Sequence, residues 1–122
     1  MNIRSYRDLE CWQRAMDLVV ECYRVTREFP KHEIYGLSSQ LQRAAVSIPA
    51  NIAEGQGRQH TPEFIQHLCI AYSSLGELET HLLIAQRLEY LTPAKANAMM
   101  KRCGEVGRLI NGLLRSLRNK ND

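Results

Sequence analysis

The sequence predicts an all-α protein, an antiparallel up-down-up-down four-helix bundle with a proline-kinked second helix. Apolar residues recur every three or four positions in four separate segments, and no segment shows the alternation typical of a β-strand. Pro30, Pro62 and Pro93 fall between these segments, where a proline ends or begins a helix. The connections span roughly 3–8 residues, which leaves only antiparallel neighbours for consecutive helices.

The composition is typical of one globular domain, which we expect to cover residues 1–122. The chain is 44% hydrophobic and 24% charged. It has no run of about 18 apolar residues and no apolar leader segment, so we expect a cytoplasmic protein with no membrane partner. The cysteines form no C-x-x-C pair and lie in helical apolar patterns, which predicts buried thiols rather than disulfides at Cys11, Cys22, Cys69 and Cys103.

The first segment carries two apolar stripes. A capping-box-like pair, Ser5 and Asp8, predicts its start, and Phe29-Pro30 predicts its end. One face is formed by Leu9, Trp12, Met16, Val19, Val20 and Tyr23. A second stripe is formed by Ala15, Leu18, Cys22 and Val25.

The second segment should be one bent helix from about Leu37 to about Gly57. Pro49 removes the donor to the Ala45 carbonyl, so the helix should bend there. It should not stop, because one apolar stripe keeps its phase through Leu41, Ala45, Ile48, Ile52 and Gly55. Gly55 would let a neighbouring helix approach, and Gly57 would form a C-terminal cap.

The third and fourth segments open in the same way, with Thr61-Pro62 and Thr92-Pro93. Threonine can cap a helix, and proline suits the first helical position. The third seam is Phe64, Leu68, Ala71, Leu75, Leu78, Leu82 and Ala85. The fourth seam is Ala96, Met99, Cys103, Val106, Ile110, Leu113 and Leu117.

Three of the four segments carry more apolar surface than one bundle stripe requires. Beyond the second stripe of the first segment, the extra positions are Val46, Pro49 and Ala53 in the second segment and Ile65, Cys69, Ile70, Tyr72, Gly76, Leu83, Ile84 and Leu88 in the third. This excess predicts burial against another subunit. The alternative is a monomer that exposes much apolar surface, as folded proteins commonly do.

A polar row lies opposite the stripe of the second segment, at Arg43, Ser47, Asn51, Glu54 and Arg58. Glu54 and Arg58 are spaced and oriented for an ion pair. The row is either a stabilising network, at a subunit boundary or within one chain, or a binding site, and we favour the network. A phosphate-binding glycine loop is excluded, because the third position of the motif is His60 and the glycines end a helix.

Metal binding and catalysis have little support. The pairs Glu63/His67 and Glu77/His81 are spaced one residue wider than the Glu-x-x-His of di-iron bundles, so charged pairs are the simpler interpretation. No serine or cysteine has a recognisable base and orienting group. We therefore expect no metal, no cofactor and no catalytic residue, and thus a protein that is not an enzyme.

The basic charge is concentrated at the end of the chain. Residues 1–91 carry nine Lys/Arg and eleven Asp/Glu, whereas residues 92–122 carry seven and two. Lys101, Arg108 and Arg115 recur every seven residues opposite the fourth seam, and Arg118 adds to them. This pattern predicts a nucleic-acid-binding face or a solvated outer face. No aromatic residue is interleaved with it, so base stacking is not indicated.

The stretch from Ser47 to Arg58, SIPANIAEGQGR, resembles the signature of the bacterial four-helix-bundle proteins encoded in intervening sequences of large-subunit ribosomal RNA genes. Further similar positions extend the resemblance over roughly residues 5–91, among them Trp12, Glu33, Gly36 and Glu77. The resemblance implies an antiparallel bundle assembled as a homopentamer. It implies no catalytic residue.

The resemblance also bears on partners. The accessory proteins of diversity-generating retroelements are similar, and they bind nucleic acid and a reverse transcriptase. Together with the basic fourth segment, this predicts a homo-oligomer that associates with RNA or DNA, with a reverse transcriptase or another protein as a further partner. The alternative is a protein-binding scaffold with no affinity for nucleic acid.

Overall fold

A computed structural model describes residues 4–120 of the chain. Within this range there are four α-helices and no β-strand: α1 Glu10–Thr26, α2 Leu37–Gly57, α3 Thr61–Arg87 and α4 Pro93–Lys120. Short 3₁₀ turns at Tyr6–Asp8 and Lys31–Glu33 precede α1 and α2. The predicted all-α class is confirmed. None of the described helices is long and apolar enough to cross a membrane.

The helices pack in a ring, in which α1 and α3 each contact α2 and α4. Ser47 of α2 meets Ser74 of α3, whereas Gly55, further along α2, lies against Phe64, earlier in α3. These two helices therefore run in opposite directions. The same holds for α1 and α4, because Glu28 pairs with Lys95 and Arg14 pairs with Glu105. The described part of the chain is thus a four-helix bundle.

The predicted seams of α2 and α3 form the centre of the core. Every position of both stripes is buried. The seam of α4 differs at one residue, because Leu114 is buried while Leu113 is half-buried. Both are leucines three or four residues from Ile110, so spacing alone could not choose between them.

The core face predicted for α1 is wrong. The buried residues of this helix are Cys11, Ala15, Leu18, Cys22, Val25 and Thr26, which include the whole second stripe. Met16, Val20 and Tyr23 of the first stripe are 40–46% exposed. Both stripes have helical spacing, so the pattern determined the helix but not its rotation about its axis. Ala15 and Cys22 are small, and turning them inward allows α1 to approach its neighbours closely.

The helix ends agree with the sequence only in part. Ser5 Oγ accepts a hydrogen bond from Arg7 N at 3.2 Å, so it caps the first 3₁₀ turn, and α1 begins later, at Glu10. Thr92 caps α4 as predicted, since its Oγ1 accepts from Lys95 N at 3.2 Å. Thr61 does not cap α3, because it lies inside the helix and His60 occupies the cap without a side-chain bond.

The α2 helix is continuous through Pro49, as predicted, and Pro49 is buried. The bend expected there stays a prediction. Gly57 is the last residue of α2, but the left-handed conformation expected of a glycine cap occurs two residues later, at Gln59 with φ 60°. The cap prediction for Gly57 is therefore wrong.

Glu33 links the α1–α2 connection to the end of the bundle by two hydrogen bonds. Its Oε1 accepts from Leu37 N at 3.1 Å and so caps α2, while Tyr90 donates its hydroxyl to Oε2 at 2.8 Å. Both bonds lower the pKa of Glu33, and the bond from the Leu37 backbone has the larger effect. Gly36 leaves room for this carboxylate, because a Cβ there would lie 2.7 Å from Glu33 Oε1.

All four thiols are free, and Cys11, Cys22 and Cys103 are buried as predicted. Cys69 is exposed, so the prediction is wrong for this residue. It lies beside the α3 seam rather than on it. Burial raises the pKa of Cys11 to about 11 and the pKa values of Cys22 and Cys103 to about 12.

Candidate nucleic-acid interface

The four cations singled out in the last helix are all exposed on α4. Lys101, Arg108 and Arg115 follow one another at intervals of seven residues, which is almost two helical turns. They form a line that faces away from the seam, and we call this line the basic face. Arg118 turns toward α3, where its Nη2 lies 3.7 Å from Cys69 Sγ.

No carboxylate among residues 4–119 forms an ion pair with any of these four side chains. The described part of α4 has one acidic residue, Glu105, and its Oε1 is held 3.0 Å from Arg14 Nε on α1. Glu105 lies beside the basic face, four residues after Lys101 and three before Arg108, but its carboxylate pairs with Arg14 and not with either of these cations. The positive charge of the basic face is left for solvent or for an anionic partner.

The polar row of α2 forms a hydrogen-bonded chain to α3. Ser47 Oγ and Ser74 Oγ are 2.9 Å apart. Asn51 Nδ2 donates to Ser47 O at 2.9 Å and to Ser47 Oγ at 3.1 Å, and Asn51 Oδ1 lies 3.1 Å from His67 Nδ1. The centre of the row is therefore engaged within the chain, as a stabilising network would be.

The ends of the row behave differently. Glu54 lies between His67, at 3.5 Å, and Arg58, at 3.9 Å, so the expected contact with Arg58 is present but long. Arg43 takes no part in the chain of bonds. It is exposed beside Tyr23 and lines a surface depression between α1 and α2.

Sequence reasoning missed the α3 partners of this row. His67 and Ser74 lie seven residues apart, so they project from the same side of one helix. That spacing could have indicated a shared contact with α2, but from the sequence His67 was considered only as the partner of Glu63. The described residues contain no group of three or more His, Cys, Asp or Glu side chains placed to hold a metal ion. His67 Nδ1 instead forms a hydrogen bond with Asn51 Oδ1 and lies 3.5 Å from the Glu54 carboxylate.

A groove of about 170 Å³ lies between α3 and α4, directly beside the basic face. Its walls are formed by Tyr72, Gly76 and Glu79 of α3 and by Gly104, Arg108 and Asn111 of α4. A Cβ added to Gly107, in its floor, would lie 3.2 Å from Leu75 Cδ2, so the helices are in close contact there. A Cβ added to Gly76 would meet nothing within 4 Å, so the groove is open above it. We call this cavity the α3–α4 groove.

An exposed apolar patch lies elsewhere on the bundle, on α1 and α2. Met16, Val20 and Tyr23 of α1 and Val46 of α2 are each 40–46% exposed. Tyr23 and Val46 line the same surface depression, so the two helices contribute to one patch. Four large apolar side chains on one side of a small protein are typical of a protein–protein contact.

Fold and site together define a small four-helix-bundle protein with a cationic outer face on its last helix. The model of the 23S rRNA-intervening sequence protein family matches residues 7–112. The chain therefore belongs to this family, as the signature in α2 predicted.

One solved structure shows the same fold. It is the crystal structure of a protein with unknown function from the S23 ribosomal protein family of Bacteroides thetaiotaomicron VPI-5482. Its TM-score is 0.76 and its sequence identity 24%, and the match covers 85% of this chain and 97% of that chain. At this identity the likeness extends to the fold alone. No curated protein matches the chain.

Proposed function

We propose that this chain is a non-enzymatic protein that self-associates and binds RNA or DNA through the basic face of α4. The observation that carries the proposal is the line of exposed cations Lys101, Arg108 and Arg115, with Arg118 beside it. Each phosphate neutralised by such a side chain releases a condensed counterion, which favours binding of any sequence.

The geometry of the basic face suits backbone contacts. A seven-residue interval in an α-helix corresponds to a rise of about 10 Å, or about three phosphate steps along one strand of B-DNA. Lysine reaches a phosphate as a point charge and arginine as a fork, and neither contact identifies a base. Structured RNA is the first ligand to test, because the family name links its members to intervening sequences of 23S rRNA.

Self-association is the second part of the proposal. The apolar patch of α1 and α2 offers a surface for it. The pentamer is the assembly that the resemblance of the α2 signature implies. A closed assembly would repeat the basic face in every subunit. Several weak phosphate contacts would then act on one nucleic acid molecule, which raises the overall affinity.

The direct test replaces Lys101, Arg108 and Arg115 by Gln in one variant. We expect a weaker affinity for duplex DNA and for structured RNA, by a similar factor for every sequence, because the replaced side chains face phosphates rather than bases. The fold should persist, since exposed charges contribute little to stability. Electrophoretic mobility shift at low salt measures the affinity, and thermal unfolding checks the fold.

A matched control removes the same charge elsewhere. Arg24, Arg27 and Arg58 are exposed at the ends of α1 and α2, and replacing all three by Gln lowers the net charge equally. This control should retain most of the affinity. Equal losses of affinity in both triple variants would mean that only net charge matters, and the basic face would have no special role.

The alternative function is a protein-binding scaffold, which the apolar patch favours independently of charge. In that case the basic face would meet an acidic protein, and the wild-type protein would bind no nucleic acid even at low salt. Binding of a protein partner that is abolished by mutation of the patch would then identify the functional surface.

A further inference from the structure

We propose that the α3–α4 groove binds one unpaired nucleobase of the nucleic acid whose phosphates contact the basic face. This inference rests on the proposed function. The ligand is a nucleic acid, single-stranded or structured, that contains an unpaired nucleotide. The residues that carry it are Tyr72, Gly76, Arg108 and Asn111.

The groove has the size of a site for one flat ring. Its volume of about 170 Å³ is well below the roughly 300–1,000 Å³ of pockets that enclose drug-sized ligands. Gly76 presents no side chain to it, and a Cβ there would meet nothing within 4 Å, so a planar group can approach the backbone of α3. A larger ligand would extend beyond the groove into solvent.

The walls offer the contacts that a base requires. Tyr72 is 45% exposed, and a Cβ built on Gly107 would lie 3.7 Å from its Cε1, so the ring packs against α4 at one edge and is accessible for stacking elsewhere. Stacking on an aromatic ring tolerates any base, because every base has a π face. Asn111 is exposed at the groove, and its amide can donate to and accept from a base edge, while the Glu79 carboxylate can accept from an exocyclic amino group.

The phosphate of the same nucleotide has a partner at the rim. A Cβ built on Gly104 would lie 3.4 Å from Arg108 Nη1, so the guanidinium of Arg108 lies over Gly104. Further along the same helix, Arg118 turns toward α3. Ten residues of helix separate them, a rise of about 15 Å. A strand that runs along this edge would thus meet a cation at the groove and another beyond it.

The α4 sequence alone did not indicate stacking, because no aromatic residue interrupts its basic residues. The fold adds an aromatic residue from another helix. Tyr72 belongs to α3, and packing places its ring in the groove that Arg108 borders. The aromatic residue and the cations therefore come from different helices.

The test compares two RNA duplexes that differ by a single bulged nucleotide, by fluorescence anisotropy at low salt. Wild-type protein should bind the bulged duplex more tightly, by roughly five- to a hundredfold, the usual range for stacking of one base. Tyr72→Ala and Gly76→Leu should abolish this difference and leave the affinity for the paired duplex unchanged. Tyr72→Phe keeps the ring and should keep the preference.

Two matched controls lie outside the groove. Tyr23→Ala removes a tyrosine that is 42% exposed on α1, and Gly57→Leu adds a side chain where a Cβ meets nothing within 4 Å. Both should retain the preference for the bulge. Leucine is a better helix former than glycine, so Gly76→Leu is not expected to unfold α3.

The outcomes separate this inference from the proposed function. Equal binding of both duplexes by wild-type protein, or an unchanged preference in Tyr72→Ala and Gly76→Leu, would overturn the base site and leave the basic face standing. A change of assembly mass in Gly76→Leu would assign the groove to a subunit contact and overturn the base site. Absence of all binding would overturn both.

Discussion

At the scale of single residues, one missing side chain sets how closely α2 and α3 approach. A Cβ built on Gly55 would lie 2.6 Å from His67 Cβ and 3.1 Å from Phe64 Cδ1. His67 Cβ is bonded to the backbone and cannot rotate away. The bond between Asn51 and His67, one turn earlier in α2, depends on this close approach.

Gly55→Ala should therefore lower the free energy of unfolding. Overpacking typically costs about 1–3 kcal/mol, and the better helix propensity of alanine offsets up to about 1 kcal/mol of it. Gly57→Ala is the control, because a Cβ there meets nothing within 4 Å, and it should be neutral or stabilising. Urea unfolding measures both. Equal stability of the two variants would show that α2 and α3 are not in close contact at Gly55.

The polar row shows which contacts can be predicted from the spacing of residues within one helix and which cannot. The Glu54–Arg58 contact could be predicted, because both residues belong to α2 and their separation is fixed by helix geometry. The bonds to Ser74 and His67 could not be derived in the same way. They depend on how α3 is rotated and positioned against α2, and that is set by packing across the whole interface.

At the scale of helices, residue spacing does not determine how a helix is rotated against its neighbours. This explains which core faces could be predicted. The α2 and α3 helices each have one dominant stripe, and every residue of it is buried. The α1 helix has two stripes with the same spacing, and the choice between them depends on its neighbours. Cys22 of α1 and Cys103 of α4 are both fully buried in the core and lie near enough to influence each other's charge, and the small side chain of Cys22 suits a close approach of the two helices.

The buried thiols give a test of the α1–α4 packing. In a Cys69→Ser variant, we expect Cys11, Cys22 and Cys103 to stay unreactive toward a thiol reagent at pH 8, because burial keeps them protonated. All three should react on addition of denaturant. Fast reaction of any of them in the folded protein would place that cysteine at the surface, against the packing described above.

The same thiols predict the alkaline limit of stability. Their pKa values rise from an ordinary 9.0 to about 11 or 12 in the folded chain, so the unfolded thiols ionise first as the pH increases. Their stabilising contribution is complete below pH 9 and is lost progressively between pH 9 and pH 12. Unfolding by urea at a series of pH values measures it, and a stability that stays constant up to pH 12 would contradict the burial of these thiols.

At the scale of the whole molecule, the apolar patch and the basic face lie on different helices, and α3, which packs against α4, exposes a further five large apolar side chains, Ile70, Tyr72, Leu83, Ile84 and, at its C-cap, Leu88. The apolar patch belongs to α1 and α2, and the basic face belongs to α4. One surface can therefore bury itself against another subunit while the other stays open to nucleic acid. This separation is why self-association and nucleic-acid binding can be tested independently.

Self-association predicts a mass of about five times the 14.0 kDa of one chain in light scattering at micromolar concentration. Val20→Lys places a charge in the apolar patch and should lower the mass, whereas Asn97→Lys, exposed on α4, should not. A dimer would refute the pentamer. A wild-type mass near that of one chain would refute self-association altogether.

The dependence of affinity on salt tests the role of the basic face most directly. For wild-type protein on duplex DNA, the logarithm of affinity should fall linearly with the logarithm of salt concentration. Replacing Lys101, Arg108 and Arg115 by Gln should flatten this slope by up to about 0.9 for each phosphate that is no longer neutralised, while the Arg24, Arg27 and Arg58 control keeps the wild-type slope. An unchanged slope in the α4 variant, or no binding by wild-type protein at low salt, would contradict a nucleic-acid-binding role for α4.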